Sequence, residues 1–258
     1  MKLHNFALVV VALGVGATSF GQIHEYTYNR AVNGTQGAND SAGKLISARG
    51  TFNTITNEFT WYGTYQSSNG ILPNGFWLAV SPGPNPKGHS SELAAFYFDG
   101  SSSSNPNVYV YGYNGVNGAS SWYDGSNASG TQAPDKILSS KNTPNAFKNM
   151  KVTNNADGTR TLGFTVDATS INNHIPKYGT PQQKADWTGA EFGSKIGIWW
   201  HPVAGLKTAT SNGWLTKFEY SKEGWFDVSD KPTNPVPEPA TLIALGAGLL
   251  ALRRRRAR

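Results

Sequence analysis

The chain has 258 residues, 38% hydrophobic and 15% charged, with 29 glycines and many Asn, Ser and Thr. That composition suits one large domain of turns and short strands. The absence of cysteine excludes a disulfide framework, a thiol nucleophile and thiolate metal sites. The formal charge of +6 belongs to the tails, since residues 22–237 carry 16 Lys+Arg against 15 Asp+Glu; no basic surface for nucleic acid remains on the folded part.

The N-terminus reads Met1-Lys2-Leu3-His4, then an apolar stretch from Phe6 to Val15, then small residues up to Gly21. A positive start, a short apolar run and small residues at Ser19 and Gly21 predict a signal peptide over 1–21, removed by signal peptidase.

From 22 to 230 short apolar or alternating stretches recur between turn clusters. Thr51–Ile55 and Phe59–Tyr65 read as a hairpin. Gly75–Val80 stops at a Pro-Gly-Pro-Asn-Pro loop, and Leu93–Phe98 and Val108–Tyr113 follow. Phe147–Thr153 and Thr159–Asp167 enclose Asn154–Gly158 as a second hairpin, and Ile196–Trp200 and Trp214–Tyr220 complete the set. Only Ala168–Asn173 and Gln182–Thr188 suggest helical turns. Many short strands without intervening helices predict an all-β, single antiparallel β-sandwich or jelly-roll-like domain.

The tail has three parts. Residues 231–239 are too proline-rich for a helix or a central strand and read as a solvated, polyproline-like linker. Residues 240–252 carry no charge and would form an apolar helix of about 20 Å, against a hydrocarbon core of about 30 Å. Residues 253–258 follow as an arginine cluster that stays in the cytoplasm, leaving the preceding domain outside.

Val236, Pro237, Glu238 and Pro239, followed by the apolar helix and by Arg253, Arg254, Arg255 and Arg256 as a cytoplasmic stop, resemble a PEP-CTERM sorting signal. The resemblance implies export, transient membrane insertion of the tail, and processing near Pro-Glu-Pro by exosortase, a membrane-embedded transpeptidase. It also implies a Gram-negative, exopolysaccharide- and biofilm-forming setting, with the protein in the cell envelope, on the surface or outside the cell.

Residues that carry chemistry are sparse. The acidic residues include no Glu-x-Glu or Asp-x-Asp, and Glu92, Asp167, Glu191 and Glu219 stand apart. A secreted carbohydrate-active enzyme, a glycoside hydrolase or lyase, would need two carboxyl groups brought together in space. His24, His89, His174 and His201 show no metal spacing and are expected at solvated loop positions. Asp124 and Asp157 sit in Asp-Gly turns, which turn formation alone explains, though a calcium-stabilised adhesion module is an alternative. No cofactor and no metal are expected. Among the eight tryptophans, Trp61, Trp77 and Trp199 have strand neighbours and are expected in the core. Trp122, Tyr123 and Trp187 lie in polar stretches and are the residues expected to stack on sugar rings. The function this supports is a non-catalytic surface or matrix protein associated with exopolysaccharide.

Overall fold

Alternation with period two runs through most of the apolar segments, and each becomes a strand with one face turned to a common core. The computed structural model describes residues 23–34, 39–81, 93–113, 135–175, 197–227 and 234–236. Residues Gln22–Pro237 form one compact unit; Met1–Gly21 and Glu238–Arg258 form another, which lies outside the described residues.

The first sheet contains β1 (Ile23–Asn29), β2 (Lys44–Asn53), β3 (Glu58–Gln66), β8 (Phe147–Asn154), β9 (Arg160–Asp167) and β15 (Asn234–Val236), in the order β15-β1-β2-β3-β9-β8. The second contains β4 (Gly75–Ser81), β5 (Leu93–Asp99), β6 (Asn107–Tyr113), β7 (Asp135–Ser139), β10 (Gly197–Ala204) and β13 (Lys222–Glu223). Its order is β13-β10-β4-β5-β6-β7, with β14 (Phe226–Asp227) also on β10. A separate hairpin pairs β11 (Lys207–Ser211) with β12 (Trp214–Glu219). The pairings within these sheets are antiparallel. The only helical pieces among the described residues are α1 (Arg30–Asn33), α2 (Thr169–Asn172) and a 3-10 turn at Pro144–Ala146. The predicted all-β sandwich is the observed fold.

Aromatic side chains from both sheets meet between them. Trp61 on β3 packs edge-on against Trp200 on β10 with ring centroids 5.3 Å apart. Phe59 lies 5.5 Å from Phe96, and Phe164 lies 5.4 Å from Phe96 and 6.2 Å from Phe76. These rings are fully buried, and each such side chain contributes about 1.5–3 kcal/mol by leaving water. That is how a chain without disulfides holds two sheets together.

Where the first sheet faces outward it turns polar. Thr60 and Thr165, and Thr64 and Thr161, share hydroxyl hydrogen bonds of 2.9 and 3.0 Å across β3 and β9. Arg49 forms a bidentate pair with Glu25 at 3.0 and 2.9 Å. Tyr62 is opposite Gly163 in register, with Lys151 4.6 Å from its ring centroid. A Cβ on Gly163 would sit 1.9 Å from Tyr62 Cδ1 and 2.5 Å from the Trp61 carbonyl oxygen, so only glycine allows this ring to lie where it does.

The sequence places a solvated linker over 231–239. The structure instead lays Asn234–Val236 along β1, with Ile23 opposite Val236, His24 opposite Pro235 and Glu25 opposite Asn234. The reason is the edge of β1, whose unpaired N–H and C=O groups invite a partner, and proline is tolerated in such an edge strand. The sheet therefore runs past the expected domain boundary at 230.

Candidate functional site

The second sheet buries both faces. Phe76, Leu78, Val80, Phe96, Phe98, Val108 and Val110 point into the sandwich core. The alternate residues Trp77, Ala79, Ala95, Tyr97, Tyr109 and Tyr111 form a second cluster with Leu215 and Phe218 of the β11–β12 hairpin. An antiparallel sheet often leaves one face to solvent, but these strands are apolar on both sides, so the hairpin covers the second face. Trp77 is buried as expected, though in this second cluster, whereas Trp61 lies in the sandwich core. The side chain of Trp199 lies outside the described residues; its neighbour Trp200 fills the core.

The hairpin turns at Asn212 (φ 50°) and Gly213 (φ 76°), the positive-φ pair a two-residue turn requires. It docks through named contacts: Thr208 Oγ1 donates to Asp99 Oδ2 at 2.6 Å, and the Leu215 N–H donates to the Tyr111 hydroxyl at 3.2 Å. Phe218 meets Tyr97 edge-on at 5.2 Å, and Lys136 Nζ stands 5.6 Å from the Trp214 ring. Asp99 also accepts from the Ser101 N–H and hydroxyl, which satisfies a carboxylate that is almost fully buried. Burial holds the Tyr109 hydroxyl well above the usual tyrosine range, and the nearby Asp99 charge adds to the effect.

At one edge of this face Trp77, His201 and Glu223 come together. The imidazole of His201 stacks on Trp77 with centroids 3.8 Å apart and 11° between planes. His201 Nδ1 lies 2.6 Å from Glu223 Oε1, and Trp77 Nε1 donates to the same oxygen at 3.3 Å. A carboxylate only accepts, so Nδ1 carries the proton in this contact. A carboxylate-oriented imidazole is a familiar base pair. Here the His201 side chain is 11% exposed and pressed flat on Trp77, and the trio ties β4, β10 and β13 together.

The expectation of solvated histidines is corrected at two positions. His24 and His201 lie in β1 and β10 and are buried, at 4% and 9% exposure: alternation turns His24 inward, and His201 is covered on the opposite face of its sheet by Trp77 and Glu223. Desolvation lowers the pKa of His24. His174 is half-buried, and His89 lies outside the described residues.

The carboxylates are dispersed and mostly engaged. Glu25 pairs with Arg49, Asp40 with Arg30, Glu58 with Lys148 and Glu219 with Lys217. In the strand registers only Glu58 and Asp167 are directly opposite one another, and Lys148 Nζ, 2.6 Å from Glu58, offsets their repulsion at an open sheet end. Asp157 accepts from the Thr159 N–H at 3.0 Å and its hydroxyl at 2.7 Å, which closes the hairpin turn and lowers the carboxyl pKa. Among the described residues no group of three or more His, Asp or Glu gathers as a metal site would require.

Trp122, Tyr123, Trp187 and Asp124 lie outside the described residues, as do Pro237, Glu238, Pro239 and Arg253–Arg256. What the structure does place is the set of strand ends that flank the first of these. Gly197 is opposite Ser81, Leu93 is opposite Tyr113, and Asp135 is opposite Gly112. Both flanks of 82–92 and of 114–134, and the C-terminal flank of 176–196, therefore lie at the same end of the second sheet.

Residues 235–257 match the family model of the PEP-CTERM protein-sorting motif. No curated protein and no solved structure matches the chain. The match overlaps β15, so the motif begins within the folded sheet. The motif marks an exported protein, carried across the envelope of a Gram-negative bacterium and processed by exosortase. Among the described residues no helix is long and apolar enough to cross a membrane; residues 240–252 lie outside them.

Proposed function

We propose that the sandwich is a non-catalytic component of the cell surface or extracellular matrix that holds exopolysaccharide through Trp122, Tyr123 and Trp187. In this reading signal peptidase removes residues 1–21, exosortase reads Val236, Pro237, Glu238 and Pro239, and Arg253–Arg256 keep the tail in the cytoplasm until cleavage. The observation that carries the binding site is the register of the second sheet. Both flanks of 114–134 and the C-terminal flank of 176–196 lie at one end of that sheet, on β6, β7 and β10. Loops at the end of a rigid sandwich are where such folds carry recognition. A tryptophan or tyrosine offers an apolar face to the C–H side of a sugar, with Asn, Ser and Gly neighbours for its hydroxyls.

The test is co-sedimentation of the exported protein with the producer's own exopolysaccharide, at two salt concentrations. The wild-type protein should bind, and the Trp122→Ala, Tyr123→Ala, Trp187→Ala triple variant should bind at least tenfold more weakly with an unchanged melting curve. The polymer's length distribution should stay constant during incubation. Equal binding by the triple variant would remove these residues from the site, and shortening of the polymer would replace the reading with an enzymatic one.

A further inference from the structure

The matched sorting motif spans residues 235–257. Its first residues belong to the folded domain. Pro235 and Val236 lie both in the matched motif and in β15, opposite His24 and Ile23 at the very start of β1. The Pro237-Glu238-Pro239 sequence begins at the residue after the paired strand. β1 opens the folded unit and β15 ends it, so this edge of β1 can pair only once the chain through Val236 has been delivered.

The pairing is short, three register partners, and one of them is a proline that donates no N–H. Short edge strands of this kind sit at the low end of the local stability range and open without global unfolding. When β15 is paired, the motif leaves the sheet with no intervening slack. When β15 is released, the residues from Val228 to Val236 become a tether that spans up to about 30 Å. Processing enzymes cut exposed or transiently opened segments, so a segment held at a sheet edge is the poorer substrate.

We propose that β15 is a latch on the sorting signal: its pairing with β1 withholds the motif from exosortase, and release of β15 is the step that admits it. This rests on exosortase processing of the tail. After cleavage near Pro-Glu-Pro the mature chain keeps Asn234–Val236, so the strand that controls processing afterwards covers the β1 edge and blocks edge-to-edge association.

The experiment uses the full chain in a Gram-negative host that carries an exosortase, with conversion of precursor to mature protein followed by pulse-chase and the new C-terminus read by mass spectrometry. Because the chain has no cysteine, a pair introduced at two positions meets no competing thiol within the chain. Glu25→Cys with Asn234→Cys closes the latch across directly opposite residues, whose expected Cα separation of about 4.5–5.5 Å suits a disulfide. Both positions lie outside the matched motif. Glu25→Cys with Thr51→Cys makes a matched cross-link between β1 and β2 that leaves β15 free. The latched variant should mature at least tenfold more slowly, regain the wild-type rate on mild reduction, and differ from the β1–β2 control, which should mature as the wild type does. Asn234→Gly, which weakens β15, should mature faster. Wild-type maturation of the oxidised latched variant would overturn the latch, as would equal slowing of both cross-linked variants or slowing by Asn234→Gly. A wild-type protein that keeps Arg258 outside the cell would instead overturn the processing on which the latch rests.

Discussion

Truncating Phe218 tests whether the β11–β12 hairpin is a separable cover over the aromatic face of the second sheet. Phe218 is 3% exposed and its ring meets Tyr97 at 5.2 Å and Tyr220 at 6.2 Å. A buried Phe→Ala change costs about 3–5 kcal/mol. The hairpin is its own two-stranded sheet, held to the rest by side-chain contacts such as Thr208 to Asp99 and Leu215 to Tyr111. A two-stranded hairpin is marginal once undocked, so the loss should fall on the docking equilibrium and not on the sandwich. If it fell on the whole domain, about 2–4 °C per kcal/mol would lower Tm by roughly 6–20 °C. The expectation for Phe218→Ala is a much smaller fall in Tm. Amides of Lys207–Glu219 should lose hydrogen-exchange protection while those of β4, β5 and β6 keep it, and binding of a hydrophobic dye should rise as Trp77, Tyr97 and Tyr109 are uncovered. A fall of the full size, with protection lost uniformly through β4–β6, would show that the hairpin is integral to the cooperative unit and refute the cover.

Gly163→Ala should destabilise the domain by about 1–3 kcal/mol, read as a lower urea midpoint, because its Cβ collides with the Tyr62 ring and with the Trp61 carbonyl oxygen. Adding Tyr62→Ala should recover only part of the loss, since the backbone oxygen stays; an unchanged midpoint in Gly163→Ala refutes the close approach. His24 is buried and held below its ordinary pKa, so the unfolded chain takes up its proton more readily than the folded one. Its contribution to stability is complete above about pH 6.5 and is lost as pH falls through the lowered folded value. His24→Leu should therefore flatten the pH dependence of the urea midpoint between pH 7.5 and 5, and an unaltered slope would show that His24 is not the group responsible.

Much of the sandwich is legible in the sequence because its strands are amphipathic in a simple way. Gly75–Val80, Leu93–Phe98, Phe147–Thr153 and Thr159–Asp167 begin and end within a residue or two of β4, β5, β8 and β9, since turn residues bound each run. Segments with less contrast are harder to read. Ile23–Asn29 becomes β1 although its alternation runs through His24, Tyr26 and Tyr28, two residue types that also suit a surface. Lys207–Ser211 has no large apolar residue and pairs through a turn whose Asn212-Gly213 is a standard hairpin signal. Asn234–Val236 reads as linker because proline argues against a strand, and only the vacant edge of β1, a tertiary feature, makes it one.

The same contrast governs what the sequence discloses about sites. Strand neighbours tell that Trp61 and Trp77 are buried, but not that they serve different clusters. That depends on whether a third layer covers the outer face of the second sheet, and the cover comes from a hairpin whose outward residues are mostly polar. The His201–Glu223 contact has no local signature: the two residues are far apart in sequence and meet because β13 returns to pair with β10. The sorting motif is the opposite case, since a linear signal must be readable by an enzyme from consecutive residues and is equally readable in the sequence. What consecutive residues cannot express is that the motif's first two are also the last strand of a sheet. Address and fold overlap at Pro235 and Val236, so a substitution at either position alters both the paired strand and the matched motif.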